Sequence, residues 1–323
     1  MDFNVKGSRF LVFGRAGMDF YADPPGTRLE VASRFVSALG GSAANIAVAI
    51  ARLGGKASLF SAISDDAVGR FILNQLRHYG IGSDHVAIVA GQVRSSLAVV
   101  ETRNDNCQNV IYRNGAADLE LTEAALTTVP FSDFDALIMT GTALAREPSR
   151  RVALKAMAVA KAAGLNIILD VDYRPYSWAS AEEASAVGLQ AVNLSDLVVG
   201  NDVEFDVLAG GVSGQMEAQK IAQLGKTVVY KMGEKGAVTY QRDRRIETPI
   251  FPVNALKPTG AGDCFLGALV MSLTSKLSLE QAVRRGAAAA AIVVARVGCA
   301  PAMPTPAELD SFLRTGTVPQ QAG

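Results

Sequence analysis

The chain has 323 residues, nearly half of them hydrophobic, with Lys plus Arg equal to Asp plus Glu at 31 each. That length allows one large α/β domain or two smaller ones, and the zero formal charge leaves no footprint for a nucleic acid or a membrane surface. Three scattered cysteines, Cys107, Cys264 and Cys299, form no Cys-x-x-Cys pair, which fits a reducing cytoplasm and argues against a zinc site or a disulfide frame.

The start, Met1 to Arg9, is polar and charged, unlike a signal peptide. Arg9 to Phe13 reads as a buried strand ending in Gly14-Arg15-Ala16-Gly17-Met18-Asp19, and residues 20–39 are turn-rich without a clear helix. Gly40-Gly41-Ser42-Ala43-Ala44-Asn45 then opens a small-residue helix over Ile46 to Leu53, stopped by Gly54-Gly55. Ser58 to Ile63 is expected as a strand and Ala67 to Tyr79 as an amphipathic helix. Ser96 to Val100 and Asn109 to Tyr112 alternate like strands around the polar turn Asn104-Asp105-Asn106.

A strand–helix rhythm follows. Strands are expected at Ala136–Thr140, Asn166–Asp170, Leu197–Val199 and Thr227–Met232, with helices at Ser149–Ala163, Ala181–Val192 and Met216–Leu224 between them. Such alternation means right-handed βαβ units on a mainly parallel sheet. Helices at Gly260–Thr274, Leu279–Ala295 and Pro306–Arg314 close the chain. The longest apolar run, Gly286 to Ala295, is too short to span a bilayer. One domain over 1–323 is expected, with residues 15–39 and 93–115 projecting as a small sheet over the site.

The stretch that organises the chemistry is Lys257-Pro258-Thr259-Gly260-Ala261-Gly262-Asp263. Glycine permits a tight turn, and the helix behind it points free N–H groups back into that turn, which makes an anion site. Asp263 stands at the helix start. An anion hole with a carboxylate at its mouth suits phosphoryl transfer, since the amides hold phosphate charge while the acid takes a proton from a hydroxyl. The plainer reading is a glycine turn with an Asp cap. What weighs against it is company at other strand ends, where ligands of parallel sheets sit. Asp19, Asp170-Val171-Asp172-Tyr173-Arg174, Asn201-Asp202-Val203-Glu204 and Lys231-Met232-Gly233-Glu234-Lys235-Gly236 all fall there. Asn201 and Glu204 share a helix face, and Glu204 could hold the water shell of Mg²⁺. Arg174 could clamp a phosphate bidentately, or form a surface salt bridge. Gly225-Lys226-Thr227 is no Walker A loop, because position 220 is Lys and the tripeptide precedes a strand.

These clusters together resemble the PfkB, or ribokinase-like, family of carbohydrate kinases over nearly the whole chain. Gly40 to Asn45 with Gly54 resembles the family's first signature, Pro258 to Asp263 its second, and Asn201 to Glu204 its Asn-x-x-Glu motif. The resemblance implies a three-layer α/β/α sandwich with a small β lid. It implies Asp263 as the base, Gly260, Ala261 and Gly262 as the anion hole, and Asp19, Gly41 and Asn45 on sugar hydroxyls. It places Asn201, Lys231, Gly233 and Gly236, with Gly260 and Gly262, toward ATP, and Glu204 toward Mg²⁺. The stretches from Gly14, Tyr112 and Asp170 are similar to those of family members acting on keto-deoxy sugar acids, 5-dehydro-2-deoxygluconate ahead of 2-dehydro-3-deoxygluconate. A neutral sugar or nucleoside, or a non-catalytic regulator on the same fold, are the alternatives. An acid substrate needs a cation: Arg113 on the lid is the first candidate, Arg15 the second, with Arg174 on the same side. Where many relatives carry Asp beside a bound monovalent cation, this chain has Lys257, whose ammonium is expected to replace that cation. A homodimer through the lid and a cytoplasmic location complete the expectations.

Overall fold

The computed structural model describes residues 3–321. In chain order the elements are β1 (Arg9–Phe13), β2 (Gly17–Ala22), β3 (Phe35–Gly40), α1 (Ser42–Arg52), β4 (Lys56–Ser64), α2 (Ala67–His78), β5 (Val86–Val89), β6 (Ser96–Val100) and β7 (Asn109–Tyr112). They continue with β8 (Ala136–Thr140), α3 (Ser149–Ala162), β9 (Asn166–Asp170), α4 (Ala181–Leu194), β10 (Leu197–Asn201), α5 (Asp202–Leu208), α6 (Gly214–Gln223) and β11 (Thr227–Lys231). The last are β12 (Ala237–Gln241), β13 (Arg244–Thr248), α7 (Ala261–Thr274), α8 (Leu279–Val294) and α9 (Pro306–Thr315).

A nine-stranded sheet runs β13-β12-β11-β10-β9-β8-β1-β4-β5. From β11 to β5 every pairing is parallel, while β12 and β13 add on antiparallel at the other edge. The parallel strands are apolar on both faces, as a sheet covered on both sides requires. Alternate residues feed two cores. Phe10, Val12, Ala136 and Ile138 pack with α1, α2, α7, α8 and α9. Leu11, Phe13, Leu137 and Met139 pack with α3, α4, α5 and α6. The period of two along each strand thus produces the three layers.

The second sheet, β3-β2-β6-β7, is the lid. Asp19, Tyr21, Ala98, Val100 and Ile111 line the cleft beneath it. Its opposite face carries rows set by register: Phe20 beside Val99 beside Val110, and Met18 beside Leu97 beside Tyr112.

The first helix begins at Ser42, four residues before the expected Ile46. Gly41, at φ 97°, is its N-cap, so the small residues are the helix's first turn. A Cβ on Gly41 would stand 2.4 Å from the Arg15 carbonyl oxygen, which is why glycine is required there. Lys226 of the rejected Walker string instead donates to the carbonyls of Asn193 and Ser195 at the end of α4. Among the described residues no helix is long and apolar enough to cross a membrane.

Candidate active site

The carboxyl ends of the parallel strands open into a cleft of about 430 Å³ beneath the lid. Arg15 and Asp19 enter it after β1, Thr142 after β8, and Asp170, Asp172 and Arg174 from β9. Asn201 and Glu204 enter after β10, Lys231 from β11, and Gly260, Gly262 and Asp263 from the start of α7. Gly41 and Asn45 line it from α1, and Arg113 from the end of the lid. Gly233, Gly236 and Ala261 are not among the lining residues. Gly233 and Gly236 form the tight link between β11 and β12, with φ values of 55° and 84°.

Gly260 is the left-handed N-cap of α7, at φ 81°. Its conformation leaves Ala261, Gly262 and Asp263 as the first helical residues, where N–H groups have no carbonyl behind them. Among the described residues, the amides of Gly260, Ala261, Gly262 and Asp263 have no protein acceptor. A Cβ on Gly262 would sit 3.3 Å from Lys231 Nζ, so the missing side chain lets the ammonium close over the turn. Lys231 is also held 5.8 Å from the Phe265 ring centroid.

Asp263 faces the cleft. Asn45 Nδ2 donates to its Oδ2 at 2.8 Å, tying α1 to α7. Burial lifts its pKa to about 6, with the Asp172 charge adding to the rise, while Asn45, Arg174 and Lys231 restrain it. Asp170 is pushed well above the carboxylate range by burial, and Asp172, Glu204 and Asp263 add to that against Lys231. Glu204 and Asn201 close a capping box: Asn201 N–H donates to Glu204 Oε2 at 2.7 Å, and Glu204 N–H to Asn201 Oδ1 at 2.9 Å. Burial raises Glu204 as well, opposed mainly by Lys231. Among the described residues no group of three His, Cys, Asp or Glu side chains forms a metal cage. The chemistry of the acids on the floor, hard oxygens of which Glu204 Oε1 is not used by the cap, fits a divalent cation held through water.

On the lid side, four buried polar atoms have no protein partner: Asp19 Oδ1, Ser42 Oγ, Asn45 Oδ1 and Thr259 Oγ1. All belong to residues that line the cleft. Burying such atoms without partners is costly, and hydroxyls of a polyol would satisfy them. Tyr21 connects this wall to the late loop, donating to Asp19 Oδ2 at 3.2 Å and accepting from Cys299 N–H at 3.1 Å.

The three arginines are not equivalent. Arg113 Nε and Nη2 donate to Asp118, and Nη1 donates to the Thr142 carbonyl at 3.0 Å. The Thr142 hydroxyl donates to Asp172 Oδ2 at 3.0 Å, so the lid's anchor continues into the floor. Arg174 pairs with Asp172 at 2.8 Å and lies 3.8 Å from Glu204. Those charges raise the Arg174 pKa further above its already high value. Asp172 itself holds φ 40°, a strained value for a non-glycine residue. Lys257 is fully buried, and its Nζ donates to the carbonyls of Thr259 at 2.6 Å and Val293 at 3.2 Å. A solvent-facing role for Lys257 is thereby excluded.

Asp172, Thr142, Tyr21, Ser42 and Cys299 were not picked out individually from the sequence. The Asp-x-Asp at the end of β9 was legible there. The Tyr21–Cys299 contact joins residues 278 apart and leaves no local signal.

A carboxyl group with its pKa raised to about 6, open amides beside it and a lid over both suit phosphoryl transfer to an alcohol. Residues 8–306 match the family described as pfkB family carbohydrate kinase, and the chain belongs to it. Curated relatives include the 5-dehydro-2-deoxygluconokinase of Photobacterium profundum, 38% identical over 312 residues, 94% of each chain. The enzyme of the same name from Bacillus thuringiensis subsp. konkukian is 34% identical over 96% of this chain and 97% of the relative. Among solved structures, Xylella fastidiosa fructokinase with bound ATP superposes with TM-score 0.85 at 25% identity, covering 95% of this chain and 98% of that one. A double mutant of Vibrio cholerae fructokinase with fructose, ADP and potassium bound gives 0.85 at 27% identity, covering 96% and 99%.

Proposed function

We propose that this carbohydrate kinase transfers the γ-phosphoryl group of ATP to the terminal hydroxyl of 5-dehydro-2-deoxygluconate. The observation that carries the reading is the placement of Asp263, held by Asn45 at 2.8 Å beside the open amides of the α7 turn. The names of the similar curated enzymes give the substrate.

Asp263, ionised, takes the proton of the terminal hydroxyl. Asn45 fixes the carboxylate and leaves one oxygen for that hydroxyl. Asp19, Gly41 and Asn45 meet the remaining hydroxyls along the lid wall. The amides of Gly260, Ala261 and Gly262, with Lys231 above them, neutralise the charge of the group in flight, where donors set in advance act most strongly. Asn201 and Glu204 would hold Mg²⁺ through water, and the ion would supply neutralisation of phosphate charge. Gly233 and Gly236 approach the nucleotide from the β11–β12 link. Closure of the lid excludes water from the transfer.

Lys257 serves in place of a monovalent cation. Its buried ammonium binds backbone carbonyls of the Thr259 turn and of the end of α8, which is where a bound cation would bind. Two copies pair through the lid. The apolar outer rows of Phe20, Val99 and Val110, and of Met18, Leu97 and Tyr112, support this, with Val110 and Tyr112 exposed at 43% and 62%.

An ADP-release screen over sugar acids, neutral sugars and nucleosides tests the proposal. Turnover of 5-dehydro-2-deoxygluconate is expected to exceed that of every neutral sugar. Faster phosphorylation of 2-dehydro-3-deoxygluconate, fructose or a nucleoside would overturn the substrate.

A further inference from the structure

We propose that Arg15 holds the carboxylate end of the substrate and sets the preference for a sugar acid over a neutral sugar, an assignment that rests on the substrate reading above. Arg15, Arg113 and Arg174 all line the cleft. Two of them already have anions. Arg113 spends Nε and Nη2 on Asp118 and Nη1 on the Thr142 carbonyl. Arg174 is paired with Asp172 and faces Glu204. Arg15 is only 9% exposed, yet its hydrogen-bond partner is the neutral Ser96 Oγ at 3.0 Å. Among the described residues no carboxylate forms an ion pair with it. A guanidinium has five donors and always carries charge, so burying it with Asp19 in its field but no carboxylate in contact leaves donors unused at a cost. A planar carboxylate accepting two parallel N–H groups is the ligand that geometry suits best.

Its position fits the chemistry of a linear acid phosphorylated at the far end. The charges bearing most on Asp263 are those of Asp172, Arg174 and Lys231. The charge of Arg15 bears instead on Asp19 and Tyr176. Arg15 enters the cleft from the β1–β2 link beside Ser96 of the lid and Asp263 from the start of α7, so the cation for the acid and the base for the alcohol come from different elements. Arg113 then acts as a positioning residue that fixes the end of β7 to the Thr142 loop.

The test compares 5-dehydro-2-deoxygluconate with its carboxamide, in which the charge is absent and the terminal hydroxyl unchanged. Wild-type enzyme is expected to favour the acid. Arg15→Met should lower kcat/KM for the acid by about 10- to 100-fold, mainly through KM, the loss of charge-assisted hydrogen bonds. It should lower kcat/KM for the carboxamide by a clearly smaller factor, since the amide carbonyl accepts from the guanidinium without a charge, and Arg15→Lys should recover part of the loss on the acid. Thermal midpoints of both variants report folding, and Arg15→Lys keeps the buried charge if Arg15→Met fails to fold. Equal losses on acid and carboxamide, or an acid preference that survives in Arg15→Met but collapses in Arg113→Met, would overturn the assignment. A wild-type enzyme that does not distinguish acid from carboxamide would refute the substrate reading itself, and the Arg15 assignment with it.

Discussion

Lys257 offers the sharpest single perturbation. Its side chain is fully buried and bridges the Thr259 carbonyl, which precedes the anion turn, to the Val293 carbonyl in the last turn of α8. A cation at that helix end meets the negative pole of the dipole. Burial lowers the Lys257 pKa, and nearby Cys299, Cys264 and Asp263 counter the fall. Lys257→Ala would leave the Thr259 carbonyl buried and unpaired, while the Val293 carbonyl keeps the Arg296 N–H, at a cost of about 1–3 kcal/mol before relaxation. At roughly 2–4 °C per kcal/mol the thermal midpoint should fall by about 2–12 °C. The vacated space is bounded by carbonyl oxygens, so a potassium ion can take the ammonium's place. Wild-type turnover should therefore change less than about twofold between potassium and choline chloride, within the scatter of an exposed-charge effect. Lys257→Ala should lose turnover in choline and regain a large part of both turnover and midpoint in potassium. A wild-type enzyme that stops without potassium, or a Lys257→Ala variant as stable as wild type in choline, would refute the reasoning.

Four further outcomes are expected. Because Asp263 must be ionised to accept a proton and its pKa is raised to about 6, kcat/KM should fall below that pH with unit slope. Asp172→Asn removes the largest charge that raises it and should shift the acid limb downward in a pH–rate profile. Gly260→Ala forces a Cβ to φ 81° and to 2.9 Å from Cys299 Sγ, so kcat should drop at least tenfold with about 1–2 kcal/mol of stability, read by denaturant unfolding. Val110→Glu places a charge in the apolar outer face of the lid, and sedimentation should show a dimer in wild type and a monomer in the variant.

Much of the architecture was legible because its signals are local. Strict alternation of short apolar runs with helical stretches announces a parallel sheet, and the glycines before Asp263 announce a turn at a helix start. The β12–β13 hairpin escaped because its turn residues, Arg242 and Asp243, lack the Asn-Gly or Gly signal that usually marks a tight hairpin. Arg242 nonetheless adopts φ 52°. The strand β5, with only four residues, fell below what periodicity can separate from a loop. At the site, residue types at strand ends could be read, but their pairings could not. Arg113 as a lid cation is visible in sequence, whereas its commitment to Asp118 and the Thr142 carbonyl depends on the folded backbone. The unpaired state of Arg15 is likewise a property of what surrounds it in space.

The claim on which the account depends is that Asp263 deprotonates the acceptor hydroxyl beside a set of unpaired amides. Asp263→Asn keeps the shape and a polar contact for Asn45 but cannot take a proton at neutral pH. Its turnover, measured with saturating ATP and sugar acid alongside calorimetric ATP binding, is the most direct test. The account predicts a loss of about 10²-fold or more in kcat with ATP affinity retained. Turnover within about tenfold of wild type would contradict it.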